Sequence, residues 1–159
     1  MCIRDRVWSA TDAQKRCAII DSVLDFDLHA CRTSTVSADA VIDFVRQQGF
    51  VVEWILETHI HADHVTAASY IKEKMGGKIA ISKHMLDIIS TWTPIFQTQE
   101  DTPADGSAFD HLFENNEEFT IADMPAKIIH TPGHTPADTT YIVGNAAFVG
   151  DTIFLPDVG

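Results

Sequence analysis

Thr58-His59-Ile60-His61-Ala62-Asp63-His64 places three imidazoles and one carboxylate within seven consecutive residues, a density found nowhere else in the chain. The residues before it, Glu53-Trp54-Ile55-Leu56-Glu57-Thr58, read as a buried strand. Those after it, Val65 to Met75, read as a helix closed by Gly76-Gly77, and Lys78-Ile79-Ala80-Ile81 reads as the next parallel strand. The histidines therefore sit at the carboxyl edge of a strand in a β-loop-α-β unit, where open α/β sheets place ligands. Alternate side chains of an extended segment share a face, so His59 and His61 point the same way, and Asp63 and His64 follow as the chain turns. Clustered imidazoles and a carboxylate are costly to desolvate, and a bound cation removes that cost while fixing their orientation. A lone HxH would be a weak signal; HxHxDH at a strand-to-helix junction reads as a metal site.

Toward the N-terminus, Cys17-Ala18-Ile19-Ile20-Asp21 reads as a strand following a polar turn, Thr11-Asp12-Ala13-Gln14. Its partner falls at or before Val7-Trp8, which leaves the first strand damaged or missing. MCIRDR, residues 1–6, has two arginines and no apolar h-region; it reads as a non-native leader rather than a secretory signal. From Ser37 or Ala38 to Gln48 the apolar residues Ala38, Val41, Ile42 and Val45 fall at helical spacing, with Ser37 as N-cap and Gly49 as the stop. Toward the C-terminus, residues 91–107 read as loop, broken by Pro94, Pro103 and Gly106. Short strands follow at Glu118–Ile121, Ala126–His130, Thr139–Val143 and Ala146–Val149, with Gly144-Asn145 as a tight hairpin turn. The fold class is α/β in the α+β sandwich sense, sheet with helices outside, first parallel and then antiparallel, in one domain over residues 7–159.

With 159 residues, 45% of them hydrophobic and 21% charged, the chain has the composition of a folded globular domain. Its formal charge of −12 disfavours nucleic acid and anionic membrane as partners, since both need a basic footprint. No apolar run approaches the roughly 20 residues of a spanning helix. Between Lys83 and Lys127 there is no basic Lys or Arg but many carboxylates, which reads as a solvated acidic face. Cys2, Cys17 and Cys31 are an odd number without CxxC spacing, so neither a disulfide framework nor a thiolate zinc site is signalled, and a reducing cytoplasm fits.

Two further segments could complete a metal shell. In Thr131-Pro132-Gly133-His134-Thr135-Pro136 the Pro-Gly pair favours a tight turn that aims His134 inward. In Val149-Gly150-Asp151-Thr152, Asp151 lies just past a short strand, again at an edge.

HIHADH, HTPGHTP and VGDTIF, in that order, resemble the metal-binding motifs of the metallo-β-lactamase fold superfamily. Within it, AIIDSVLDFD, ILETHIHADHVTAASYIKEKMGG and HTPGHTPADTTYIVGNAAFVGDTIFLPDVG are most similar to the persulfide dioxygenase (sulfur dioxygenase) group. The resemblance implies an αββα fold with an incomplete second half, and one Fe(II) per chain held by His59, His134 and Asp151. That is a two-histidine-one-carboxylate triad with open positions for a thiolate-type substrate and O2. His61, Asp63 and His64 would then orient or tune the site, and the implied reaction is oxidation of glutathione persulfide to sulfite and glutathione. The same superfamily offers a second use, that of glyoxalase II. There two zinc ions are bound, one by residues matching His59, His61 and His134 and one by those matching Asp63 and His64, with Asp151 bridging, and a metal-activated hydroxide attacks a thioester.

A third, non-enzymatic reading is a purely structural or sensing metal site, which the absence of cysteines from the cluster disfavours. Asp21 resembles the family's strand aspartate and reads as a structural hydrogen-bonding residue. His130 matches a position that is not a ligand; His29, His84 and His111 read as ordinary surface or loop histidines, and Tyr141 and Trp54 as core. The chain stops at Leu155-Pro156-Asp157-Val158-Gly159, just after the last expected ligand, which reads as a fragment of a larger gene product lacking part of the substrate site. A homodimer and a following rhodanese-type domain both stay open.

Overall fold

The computed structural model describes residues 6–9, 15–61, 63–98, 100 and 103–154, with 6–9 as backbone only. The strands and helices, in chain order, are β1 (Arg6–Ser9), β2 (Arg16–Ile20), β3 (Val23–Asp27), β4 (Arg32–Ser34), α1 (Val36–Gln48), β5 (Val51–Leu56), β6 (Val65–Thr66), α2 (Ala68–Met75), β7 (Lys78–Ser82), α3 (Met85–Phe96), β8 (His111–Phe113), β9 (Glu118–Ile121), β10 (Met124–His130), β11 (Thr139–Val143) and β12 (Ala146–Phe148). A single 3-10 turn, Gly150–Thr152, follows.

The first sheet has the order β1-β2-β5-β7-β8, parallel except for the antiparallel edge strand β1. The second is an antiparallel meander in the order β12-β11-β10-β9. β3 pairs with β4 on one side and β6 on the other, making a small three-stranded sheet. The switch from parallel to antiparallel pairing falls where the sequence puts it, and β1 occupies the place where the first strand reads as damaged. Residues 1–5 of the expected leader, Cys2, the Thr11–Gln14 turn and the terminal 155–159 lie outside the described residues.

Strand alternation divides the core into two layers. Cys17 and Ile19 of β2 face α1 and α2, joining Ala38, Ile42, Val45 and Ile71; Ala18 and Ile20 face the second sheet, joining Ile121, Ile128, Tyr141 and Val143. β5 keeps this two-sided burial through an irregularity: Cys17 pairs with Val52 but Ala18 with Trp54, so Glu53 is the extra residue. Its carboxylate pairs with Arg16 and accepts the Ala122 N–H at 2.7 Å, tying the first sheet to the turn after β9.

Several local expectations change. α1 begins one residue before Ser37, and Ser37 donates its N–H and hydroxyl to Asp25 at 2.8 and 2.6 Å; the carboxylate of β3 does what the serine was expected to do. Gly49 does end α1, in the left-handed conformation that a helix C-terminus favours. The helix after the histidines starts at Ala68, because Val65 and Thr66 first pair with β3. Residues 91–96, expected as loop, are the second half of α3, with Pro94 inside its last turns.

Candidate metal centre

β5 carries the chain directly into the site. Glu57, Thr58 and His59 follow its last residue and are all buried, with His59 only 2% exposed. Ile60 turns away to pack beside Ile81, Met85 and Ile89 under α3, so His59 and His61 lie together with ring centroids 4.0 Å apart. His64 follows, its ring 4.1 Å from that of His61.

The second sheet supplies the other half. His134 lies in the loop between β10 and β11, its ring edge-on to His59 at 5.1 Å. Its Nε2 stands 3.6 Å from Asp151 Oδ2, and His59 Nε2 stands 3.9 Å from the same oxygen. The ligand atoms of His59, His134 and Asp151 all lie within 4.8 Å of one another, and so do those of His61, Asp63 and His64. A third convergence, Asp21, Glu57 and His61, is buried beneath them.

Hydrogen bonds fix which nitrogen of His59 is free. The Thr58 hydroxyl donates to Asp21 Oδ2 at 2.9 Å, since a carboxylate can only accept. The 3.0 Å contact between Thr58 Oγ1 and His59 Nδ1 must then have the ring as donor. His59 Nε2 is left with a lone pair, buried, without a protein partner, and facing Asp151 and His134. Burial, reinforced by the neighbouring His61, lowers the His59 pKa and so favours the neutral ligand form. Asp151 Oδ1 and His64 Nε2 are likewise buried without a partner. His61 Nδ1 is buried without a partner too, and such orphaned acceptors, drawn from three imidazoles and a carboxylate, are what bound divalent cations would satisfy.

His61 has other company. Its Nε2 is 3.3 Å from both Asp21 Oδ1 and Glu57 Oε2. Burial opposes charge on His61, but the two carboxylates outweigh it and raise its pKa; burial raises that of Glu57. Glu57 and Thr58 were not singled out by their sequence positions, although a glutamate ending an apolar strand run beside HxHxDH is the visible signal. Asp21 holds a positive φ of 51°, and it accepts the Thr58 N–H at 2.7 Å as well as the hydroxyl.

The His134 loop is built on Asp138, a further residue missed from sequence. Asp138 is buried and accepts the Thr135 N–H at 2.7 Å and the Thr135 hydroxyl. His130 stacks on His84 at 4.0 Å and donates from Nε2 to the Pro136 carbonyl at 2.8 Å, away from the ligand set. His111 pairs with Glu117, and His29 lies in an exposed turn. Trp54 and Tyr141 pack around Phe113 and Phe119, as expected of core residues. Asp151 is delivered by Gly150, whose φ is 53° and which packs against Thr58.

The sequence profile of the metallo-beta-lactamase superfamily matches residues 11–159. A beta-lactamase hydrolase-like protein of Xylella fastidiosa is 47% identical over 145 residues, covering 91% of this chain and 33% of its own length. Glyoxylase B2 of Dictyostelium discoideum is 46% identical over 147 residues, covering 91% and 50%. The crystal structure of ETHE1 from Myxococcus xanthus superposes with a TM-score of 0.70 at 18% identity, covering 95% of this chain and 53% of its own. The chain thus spans between a third and about half the length of these relatives.

Proposed function

This chain belongs to the metallo-β-lactamase superfamily, whose members are typically metalloenzymes, and on that premise we propose a persulfide dioxygenase-like activity at a single Fe(II) held by His59, His134 and Asp151. The observation that carries the reading is the separation of the seven-residue cluster into two groups: His59 converges with His134 and Asp151, while His61 converges with Asp63 and His64. Two imidazoles and one carboxylate leave several positions free, and bound Fe(II) would supply them to a thiolate-type substrate and O2. In the overall reaction glutathione persulfide, O2 and water give glutathione, sulfite and two protons; the outer sulfur is oxidised and O2 is reduced.

The chain's own residues prepare that site. Asp21 and Thr58 hold His59 in one tautomer and one ring orientation. Asp138 shapes the turn that presents His134, and the tight Gly150–Thr58 contact sets the height of Asp151. The free thiols of buried Cys17 and exposed Cys31 fit a reducing compartment.

A second reading, a dinuclear zinc thioester hydrolase of glyoxalase II type, is favoured by the unpartnered His64 Nε2 beside Asp63 and by the name of the Dictyostelium relative. Both readings take a small glutathione-derived substrate. Oxygen uptake by the Fe(II)-loaded protein on adding glutathione persulfide, abolished by His134→Ala, is the expected result. Absence of uptake, together with thioester hydrolysis by protein carrying two zinc ions, would establish the hydrolase instead.

A further inference from the structure

Of the two histidines that face Asp151, His134 is the less supported. It reaches the site from a loop with 44% of its side chain exposed, and among the described residues its ring makes no hydrogen bond. His59, by contrast, is buried and donates through Nδ1 to Thr58. A ligating histidine is ordinarily oriented by the group to which its other ring nitrogen donates; without one, orientation falls to the backbone that carries it. His130 acts on that backbone. Its Nε2 lies 2.8 Å from the Pro136 carbonyl, six residues on, and because a carbonyl only accepts, Nε2 is the donor. The bond closes a ring of chain with His134 inside it. His130 is itself fixed from two other elements. Its N–H donates to Asn115 Oδ1 at 2.9 Å, in the loop between β8 and β9, and its ring stacks on His84, the residue before α3, at 4.0 Å with 13° between the planes.

We propose that His130 is a positioning residue for His134: its ring, held against His84, ties off the loop at Pro136 and so keeps the exposed imidazole in place opposite His59 and Asp151. The inference rests on the reading of His134 as a metal ligand. Asp138 and His130 act on different parts of the loop. Asp138 binds Thr135, on the C-terminal side of the histidine, through the Thr135 N–H and hydroxyl, whereas the His130 bond spans the whole of residues 131–135. Metal–ligand distances tolerate only about 0.2 Å, so a loop that relaxes by a fraction of an ångström weakens ligation before it disturbs the fold.

Two substitutions separate the hydrogen bond from the ring. His130→Phe keeps a flat ring for the stack on His84 and removes the donor, while His130→Gln gives up the ring and returns an amide N–H at the reach of Nε2. Both, together with His134→Ala and the double variant His130→Phe, His134→Ala, are titrated with Co(II) and Zn(II) by competition with a chromophoric chelator and read also by the Co(II) absorption spectrum. His130→Phe should bind metal on the order of tenfold more weakly, with a changed Co(II) spectrum, and His130→Gln should stay within about threefold of the wild type. Once His134 is gone, the phenylalanine should cost nothing further.

A His130→Phe protein with wild-type affinity and spectrum would overturn the proposal, and so would an equal loss in His130→Gln. A His130→Phe loss that persists undiminished in the His134→Ala background would overturn it too, being the mark of a general effect on the fold. Should His130→Phe not fold, long-range nitrogen-proton NMR of the metal-free wild type decides the matter. Hydrogen on His130 Nε2 supports the proposal, and a bare Nε2 overturns it. Failure of the underlying reading has its own signature, wild-type metal affinity in His134→Ala.

Discussion

Gly150 sits directly against Thr58: a β carbon at Gly150 would lie 2.8 Å from Thr58 Cβ and closer still to its hydroxyl. The contact joins the turn that carries Asp151 to the residue that orients His59, and the positive φ of Gly150 adds a second reason for glycine. Gly150→Ala should lower stability by about 1–3 kcal/mol through overpacking and weaken metal binding at the same time. Urea unfolding and a metal titration of the same variant check this; loss of stability with unchanged metal affinity would separate Thr58 from the site.

Asp21→Asn tests the chain of hydrogen bonds behind His59. An asparagine can turn its amide N–H toward Thr58 Oγ1, which frees the hydroxyl to donate to His59 Nδ1 and moves the ring hydrogen to Nε2. Metal affinity should fall by roughly 10–100-fold, as for other residues that orient a ligand. A competition titration returning wild-type affinity would dismiss the relay.

The loop of His134 depends on a single buried carboxylate. Asp138→Ala removes the acceptor of both the Thr135 N–H and the Thr135 hydroxyl, and leaving such groups unsatisfied costs about 1–3 kcal/mol. Because His134 is exposed on one side and held only through this loop, its contribution to metal binding should be lost with it. Thermal unfolding with and without added metal reads both effects: the variant should show a smaller metal-induced rise in Tm than the wild type.

Two thiols should behave oppositely. Burial pushes the Cys17 pKa up to about 11, and its side chain is sealed between the first sheet and α1, whereas Cys31 is exposed. At pH 8 Cys17 is therefore a protonated, inaccessible thiol, and alkylation mapped by peptide mass spectrometry should modify Cys31 in the native protein and Cys17 only after denaturation. The Cys17 thiolate becomes available in the unfolded chain, whose pKa is lower, so labelling of Cys17 at pH 8 reports global opening.

The parallel-then-antiparallel order and the convergence of the three motifs were legible because each rests on local signals: strand runs, the Gly144-Asn145 turn, and ligand residues at strand ends. α3 was hidden. Pro94 reads as a breaker, and Trp92, Ile95 and Phe96 are exposed, so apolar residues on both faces obscure the helical period. The N-cap of α1 was misread because its acceptor, Asp25, comes from a different strand. Glu57 and Asp138 escaped for a different reason: His61 and Thr135 are near them in the chain, but the bends that bring Glu57 beside His61 and Asp138 beside Thr135 leave no periodic trace. β3, β4 and β8 are three to five residues long, with exposed or half-buried side chains along much of their length, and leave almost no periodic trace.

Thr58 is also where the two sheets are fastened. Its carbonyl accepts the N–H and the hydroxyl of Thr139, both at 3.0 Å, and the carbonyl of the preceding Glu57 accepts the buried Tyr141 hydroxyl at 3.0 Å. An ion shared by His59 on one sheet and by His134 and Asp151 on the other would bridge this same seam. Anything that pries the sheets apart must then expel the ion, and at a free metal concentration 100 times Kd the bound state gains about 2.7 kcal/mol against opening. Amide hydrogen exchange at Thr139 is accordingly a gauge of occupancy: its protection should rise with metal, while that of α1, which lies outside the seam, should change only as far as the whole chain is stabilised.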